Sequence, residues 1–146
     1  MPCETIVGIG GAAYALHIDD LDREMHENEP FRDVLTRYSH ALLIHSMRLT
    51  ACVGLHSLEQ RCARWILTTL DRVDEDRFSI THDFLAKLLG ASGPATGVVL
   101  EQFRHRGMLR VERGEVRLAN RLALKHASCE CYGIIRRNYE QVGTRT

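Results

Sequence analysis

The sequence lacks long apolar runs, and it lacks any recognisable export signal. None of its 146 residues belongs to an apolar stretch near the roughly 20 residues that a membrane-spanning helix requires. The N-terminus has no basic segment followed by an apolar core, which is the pattern of a secretory signal. These absences predict a cytoplasmic protein with no membrane partner.

The sequence also lacks an even number of cysteines. Its five cysteines are Cys3, Cys52, Cys62, Cys129 and Cys131. An odd count in a chain without an export signal argues against a disulfide framework and predicts reduced thiols. The apolar (45%) and charged (26%) fractions are ordinary for a soluble globular domain.

The net charge is zero, but the charges are unevenly distributed along the chain. Residues 1–40 carry eight acidic and three basic side chains, whereas residues 102–137 carry nine basic and three acidic ones. A basic C-terminal half is typical of nucleic-acid binders, although local imbalance is also common on solvated surfaces.

The N-terminal part of the chain predicts one long helix after a short apolar segment. Residues 5–18 are glycine-rich and predict one or two short strands, and residues 19–30 predict a short helix or loop. After Pro30, apolar positions follow a heptad seam that predicts a two-stranded coiled coil with a second copy. The alternative is an ordinary core helix of the same chain. The seam consists of Phe31, Leu35, Tyr38, Leu42, His45, Leu49 and Cys52.

The remaining elements predict a mainly α fold with a small β-hairpin wing. Ser57 and Gln60 form a capping box for a core helix, which a charged loop over residues 71–79 closes. Thr81 caps the next helix, and a further helix runs from about Pro94 to Arg106. A hairpin over residues 108–118 and a single C-terminal helix over residues 120–141 complete the chain.

Residues 81–107 have the spacing of a helix-turn-helix. Two helices that cross closely need a small residue at the contact, supplied by Ala86, and a residue free to adopt positive φ in the turn, supplied by Gly90. Val99 faces the first helix. With the hairpin that follows, these features predict a winged helix-turn-helix.

Two motifs then give the chain a family resemblance. These are Cys52 followed by "HSLEQRCARWIL" from His56 to Leu67, and "SCECY" from Ser128 to Tyr132. The region from Leu35 to Tyr132 resembles the Crp/Fnr superfamily of bacterial transcription regulators.

The resemblance implies a domain organisation and a homodimer. It implies that residues 1–29 are a β-roll remnant and linker, that residues 30–55 are the dimerisation helix, and that residues 56–146 are the winged helix-turn-helix. It also implies an effector domain that is truncated, or a start codon placed too late. We therefore expect no cyclic-nucleotide binding and no cofactor.

The recognition helix departs from the family pattern. Where family members place arginine and other polar residues, this chain has Gly93, Pro94 and Val98, none of which donates a side-chain hydrogen bond to a base. Phosphate contacts position a protein without specifying sequence, so we expect salt-sensitive binding to double-stranded DNA with weak base preference. The predicted DNA-binding residues are Thr81, Ser92, Gly93, Thr96, Arg104, Arg106 and Arg113, and Arg110 belongs to the same basic rim.

Two other functions stay open as alternatives. The chain could be a dimerisation module that antagonises a full-length relative, or a thiol or metal sensor using Cys52, His56, Cys129 and Cys131. Against the sensor, residues two apart on one helix project about 200° apart, and Gly54 interrupts the pair Cys52 and His56. We therefore predict no metal site, and the absence of local catalytic motifs predicts no enzyme.

Overall fold

The computed structural model describes residues 7–8, 10–112 and 114–143. Two helices open the described chain: α1 (Ile18–Glu27) and α2 (Glu29–Leu55). Asn28 separates them, and its side-chain oxygen accepts a hydrogen bond from the backbone N–H of Phe31 (3.1 Å). Pro30 occupies the first turn of α2, as predicted.

The predicted N-terminal strand is wrong for the residues that the structure describes. Residues 7, 8 and 10–17 form neither helix nor strand. A strand needs backbone hydrogen bonds to a neighbouring strand, and the described residues of this segment pair with none of the described strands. Tyr14 is fully exposed, so the apolar composition that predicted a strand is not used for packing.

The helix-turn-helix region begins with α3 (Leu58–Leu70), followed by α4 (His82–Leu89) and α5 (Gly93–His105). The predicted capping box is present: Ser57 Oγ accepts from the N–H of Gln60, and Gln60 Oε1 accepts from the N–H of Ser57. Gly90 ends α4 with φ of 61°, the left-handed conformation that the turn requires.

A three-stranded antiparallel sheet packs beside these helices in the order β1-β3-β2. Its strands are β1 (Arg77–Ser79), β2 (Leu109–Glu112) and β3 (Glu115–Leu118). The predicted hairpin is confirmed by the register, in which Val111 opposes Val116 and Leu109 opposes Leu118. The expectation of a charged loop over residues 71–79 is wrong at its end, because β1 pairs there with β3 and buries Phe78 between two exposed neighbours.

The C-terminal segment forms two helices instead of the predicted single one. These are α6 (Arg121–Ala127) and α7 (Cys131–Gly143). Ser128 ends α6, and its hydroxyl donates to the carbonyl of Lys125 (2.8 Å). Serine side chains compete with the helix for backbone hydrogen bonds in this way. Helix α7 therefore takes its own direction and packs along α2.

The main core lies where α3, α4, α5, α6 and the sheet meet. It contains Ile66, Leu85, Leu100, Phe103, Val116 and Leu124, each almost completely buried. A second, smaller cluster joins α2 to α7 through Cys52, Cys129, Cys131 and Ile135. Among the described residues, no helix is both long and apolar enough to cross a membrane.

Candidate nucleic-acid interface

Helices α4 and α5 form the frame that the sequence predicted. Ala86 is buried in α4, and Val99 is buried on the inner face of α5. The N–H of Ala91 donates to the carbonyl of Ala86 (2.9 Å) across the turn. Thr81 and Ser92 cap α4 and α5 respectively, so both predicted capping residues stand at helix N-termini. Both are exposed, and each hydroxyl proton remains available to a phosphate oxygen.

The N-terminus of α5 already has an acidic neighbour. A Cβ atom added at Gly93 would lie 2.6 Å from Oδ1 of Asp83. The carboxylate of Asp83 therefore stands beside the first turn of α5, where the helix dipole favours negative charge. A DNA phosphate that approached this terminus would meet an anion that is already in place.

The outward face of α5 offers few groups for reading bases. Its exposed positions are Pro94, Val98, Glu101, Gln102, Arg104 and His105. Val98 is 58% exposed and apolar. Glu101 accepts hydrogen bonds from Arg104 (2.6 Å) and pairs with His105 (2.9 Å), and the bond from Arg104 is the main cause that lowers the pKa of Glu101. A paired carboxylate thus occupies the centre of this face.

The predicted basic residues near the end of α5 have acidic partners within the chain. Arg104 makes two hydrogen bonds to Glu101. Arg106 forms an ion pair with Glu59 of α3. Exposed pairs of this kind contribute little to stability, so a phosphate can displace the carboxylate at small cost.

Two of the predicted DNA-binding residues are not part of the exposed surface that the structure describes. Thr96 is completely buried and its hydroxyl donates to the carbonyl of Ser92 (3.0 Å), so the structure removes it from the DNA-facing surface. It faces the core because α5 turns the side of Val99 and Phe103 towards α4. Arg113 lies outside the described residues.

The structure reveals a row of three arginines, of which the sequence analysis named only Arg110. Arg77, Arg117 and Arg110 occupy directly opposed positions on β1, β3 and β2, on the outward face of the sheet. Like charges placed directly opposite each other destabilise a sheet unless anions neutralise them. Glu75 and Glu115 neutralise part of this arginine row, at 2.5 Å and 3.7 Å from Arg77. The alternation of β2 and β3 predicts Arg110 and Arg117 on one face, but Arg77 could only be added once β1 was known.

The seam predicted on α2 is shared between two neighbours. Tyr38 contacts the ring of Tyr139 (centroids 6.1 Å apart), His45 Nδ1 lies 3.0 Å from the Tyr139 hydroxyl, and Cys52 is buried against α7. Phe31, Leu35 and Leu49 are half-buried, and Leu42 is 45% exposed. Helix α7 of the same chain therefore covers one side of the seam. A neighbouring apolar stripe stays exposed: Leu42, Leu43, Met47 and Val53.

Residues 60–127 match the family model of the Crp-like helix-turn-helix domain. The chain carries a Crp-like helix-turn-helix domain. The match runs from the first turn of α3 through α6 and includes the caps Thr81 and Ser92, the turn and the sheet described above. The resemblance predicted from the two motifs is confirmed for this domain.

Solved structures give the same fold. One is a protein assigned to the Crp/Fnr family of transcriptional regulators from Eubacterium rectale, with a TM-score of 0.57, 19% identity, and coverage of 75% of this chain and 50% of that one. Another is a CRP-family transcriptional regulator from Thermus thermophilus, with a TM-score of 0.56, 19% identity, and coverage of 78% and 56%. The chain thus spans about half the length of these structures. No curated protein matches it significantly.

Proposed function

We propose that the chain is a DNA-binding transcription regulator whose winged helix-turn-helix contacts the duplex mainly through phosphates and has weak base preference. The Crp-like domain over residues 60–127 supports the general class. The solved structures with the same fold are assigned to transcriptional regulators, which supports the same class.

The exposed face of α5 is the observation that carries the proposal. Direct readout in the major groove needs side chains that donate to or accept from base edges. Pro94 has no such group, and Val98 offers only contact with a thymine methyl. Glu101 is engaged by Arg104 and His105 within the chain. Base discrimination is therefore left to Gln102 and to Arg104 and His105, which are both paired with Glu101, near the C-terminal end of the helix.

Phosphate contacts have better support. The arginine row lies on the exposed face of the sheet. Arg110 and Arg117 belong to the hairpin, and Arg77 belongs to the strand beside it. Each phosphate neutralised by such a side chain releases a counterion and steepens the dependence of affinity on salt. The hydroxyls of Thr81 and Ser92 add neutral contacts that fix orientation.

The test is a binding titration of the purified chain with random-sequence duplex DNA across a salt series, without added cyclic nucleotide. The logarithm of the association constant should fall linearly with the logarithm of the salt concentration. Replacing both Arg110 and Arg117 by glutamine should reduce that slope by about 2 for each protomer bound, at roughly 0.9 per lost phosphate contact. The matched control replaces Arg48 and Arg137, which are exposed on α2 and α7, and should leave the slope unchanged.

Two results would contradict the proposal. Selection from a random library that yielded one sequence bound a hundredfold more tightly than the rest would contradict weak base preference. A complete lack of binding at the lowest salt would remove the DNA-binding function. The second result would favour an interaction module that pairs with a longer relative through α2, a reading that the exposed stripe on α2 and the carboxylates of Asp83 and Glu101 support.

A further inference from the structure

Four potential metal ligands meet at the junction of α2 with the α6–α7 turn. Cys52 lies in the last turns of α2, and His56 is its C-cap residue. Cys129 lies in the turn, and Cys131 begins α7. All four lie outside the segment that matches the Crp-like domain. Their convergence is therefore separate from the features that support DNA binding.

Both sequence-based objections to a metal site at these residues are wrong. Cys129 precedes α7 and is not helical, so the 200° separation of residues two apart on one helix does not apply to Cys129 and Cys131. Helix α2 continues through Gly54 to Leu55, so Cys52 and His56 keep a fixed spacing of about one turn. The break at Ser128 brings the two halves together.

The distances among the four ligand atoms fit a single tetrahedral ion. Cys52 Sγ and Cys129 Sγ are 3.6 Å apart, and Cys131 Sγ lies 3.9 Å from His56 Nδ1. All four atoms lie within 4.8 Å of one another. Metal–sulfur bonds of about 2.3 Å give a tetrahedron whose sulfur–sulfur edges are about 3.8 Å. The group is thus already close to the required size.

Burial distinguishes this group of four potential ligands from a cluster of exposed side chains on a protein surface. Cys52, Cys129 and Cys131 are buried, and Leu49, Ile135 and Tyr139 pack around them. Burial raises the pKa of Cys129 to about 12. Buried thiols alone are common as small apolar groups. His56 distinguishes a metal site from a group of packed thiols, because an imidazole directed at three buried sulfurs has no such packing role.

Glu130 orients His56 in the way that second-shell carboxylates orient ligand histidines. Its Oε2 lies 3.2 Å from His56 Nε2, on the far side of the ring from the sulfurs. A hydrogen bond there places the proton on Nε2 and leaves Nδ1 free to bind a cation. Glu130 lies between Cys129 and Cys131 in the sequence. Three consecutive residues therefore supply two ligands and the group that orients His56.

We propose that Cys52, His56, Cys129 and Cys131 bind one Zn²⁺ ion in a closed structural site. Three thiolates and one imidazole are an established ligand set for structural zinc, and tetrahedral coordination by sulfur and nitrogen favours zinc over harder cations. On binding, each thiol releases its proton to solvent as its sulfur–zinc bond forms. The ion fixes the end of α2 to the turn that follows the Crp-like domain.

The test measures the metal content of the full chain, expressed with zinc and purified without chelator. We expect about one zinc per chain by mass spectrometry of the metal. We also expect that replacing the zinc with Co²⁺ gives the intense visible and near-ultraviolet bands of tetrahedral thiolate coordination. Cys129→Ser should lose both signals. Cys62→Ala, at a buried cysteine of the main core, is the matched control and should keep both.

Two further variants keep the test decisive if Cys129→Ser fails to fold. His56→Cys should retain one zinc with a shifted Co²⁺ spectrum, since four cysteines also bind zinc. Glu130→Gln should retain the site with roughly 10- to 100-fold weaker affinity. A parent protein that is folded, holds well under one metal per chain and gives no Co²⁺ bands would overturn the proposal. A Cys52–Cys129 disulfide, found by mass spectrometry in protein purified under reducing conditions, would overturn it as well.

Discussion

Val98 and Gly93 are the residues that distinguish this recognition helix from one that reads bases through arginine. Gly93 is enclosed by the carboxylate of Asp83, whereas Val98 stands open on the outward face of α5. A long cationic side chain at position 98 therefore fits without displacing anything from the core. Substitution of Val98 is thus a direct way to strengthen DNA binding.

Val98→Arg is expected to increase the affinity for random duplex DNA about fivefold at low salt, which corresponds to roughly 1 kcal/mol of added charge interaction. It should also steepen the salt dependence by about 1. The measurement is fluorescence anisotropy with labelled DNA. Leu122→Arg, which adds the same charge at an exposed position of α6, should change neither quantity. Equal effects of the two variants would mean that α5 does not face the duplex.

Gly90 is the residue on which the turn between α4 and α5 depends. Its φ of 61° is a conformation that costs other L-residues about 1 to 2 kcal/mol, so Gly90→Ala should lower the free energy of unfolding by about that amount. Gly54→Ala is the matched control, because Gly54 lies within α2 with nothing within 4 Å of an added Cβ. It should stabilise the chain by about 0.5 to 1 kcal/mol. Urea unfolding checks the opposite signs.

At the scale of elements, the sequence predicted the helix-turn-helix and hairpin well because each has a local signature. Caps, glycine turns and period-two alternation are encoded within a few residues. Strand β1 escaped prediction because three residues have too little pattern, and only pairing with β3 creates it. The α6–α7 break escaped because apolar residues continue past Ser128. That error was the source of the objection that Cys129 and Cys131 cannot share an ion with Cys52 and His56.

The contribution of the contact between α7 and α2 to stability depends on pH. His45 contacts Tyr139, and burial, followed by the charges of Arg72 and Arg64, lowers the pKa of folded His45. The unfolded chain therefore takes up this proton first, below its ordinary pKa of about 6.5. The contribution to stability is complete above that pH and is lost as the pH falls below it.

As the pH is lowered from roughly 7.5 to 5.5, the free energy of unfolding should therefore fall less for His45→Gln than for the parent protein. The matched variant His40→Gln, altered at an exposed position of the same helix, should follow the parent. Urea unfolding at several pH values makes the comparison. A parallel loss in all three proteins would show that His45 does not couple α7 packing to protonation.

At the scale of the whole molecule, the uneven charge distribution favours DNA binding by the basic part of the chain and protein contact by its acidic N-terminal part. The acidic residues concentrate in α1 and the start of α2, whereas the basic residues follow α5. A duplex attracted to the arginine row would be repelled by the N-terminal helices. That distribution leaves α2 free for contact with protein. The exposed stripe of Leu42, Leu43, Met47 and Val53 is the surface that such a contact would bury.

We predict that the chain is a homodimer through this stripe, because α7 covers only one side of the heptad seam. Light scattering after size exclusion should give twice the chain mass of 16.6 kDa. Leu42→Glu places a charge in the interface and should give a single chain with an unchanged helical spectrum, since Leu42 is 45% exposed in the protomer. Leu122→Glu makes the same change at an exposed position of α6 and should leave the dimer intact.

The dimer prediction also bears on DNA binding, since two joined domains engage two half-sites. The Leu42→Glu protein should bind random DNA with about half the salt slope of the parent, because half as many phosphates are contacted per complex. A parent protein that stays a single chain at every concentration would contradict the dimer while leaving the winged helix-turn-helix in place. Helix α2 would then be an ordinary core helix that packs against α7 and carries two members of the cysteine group.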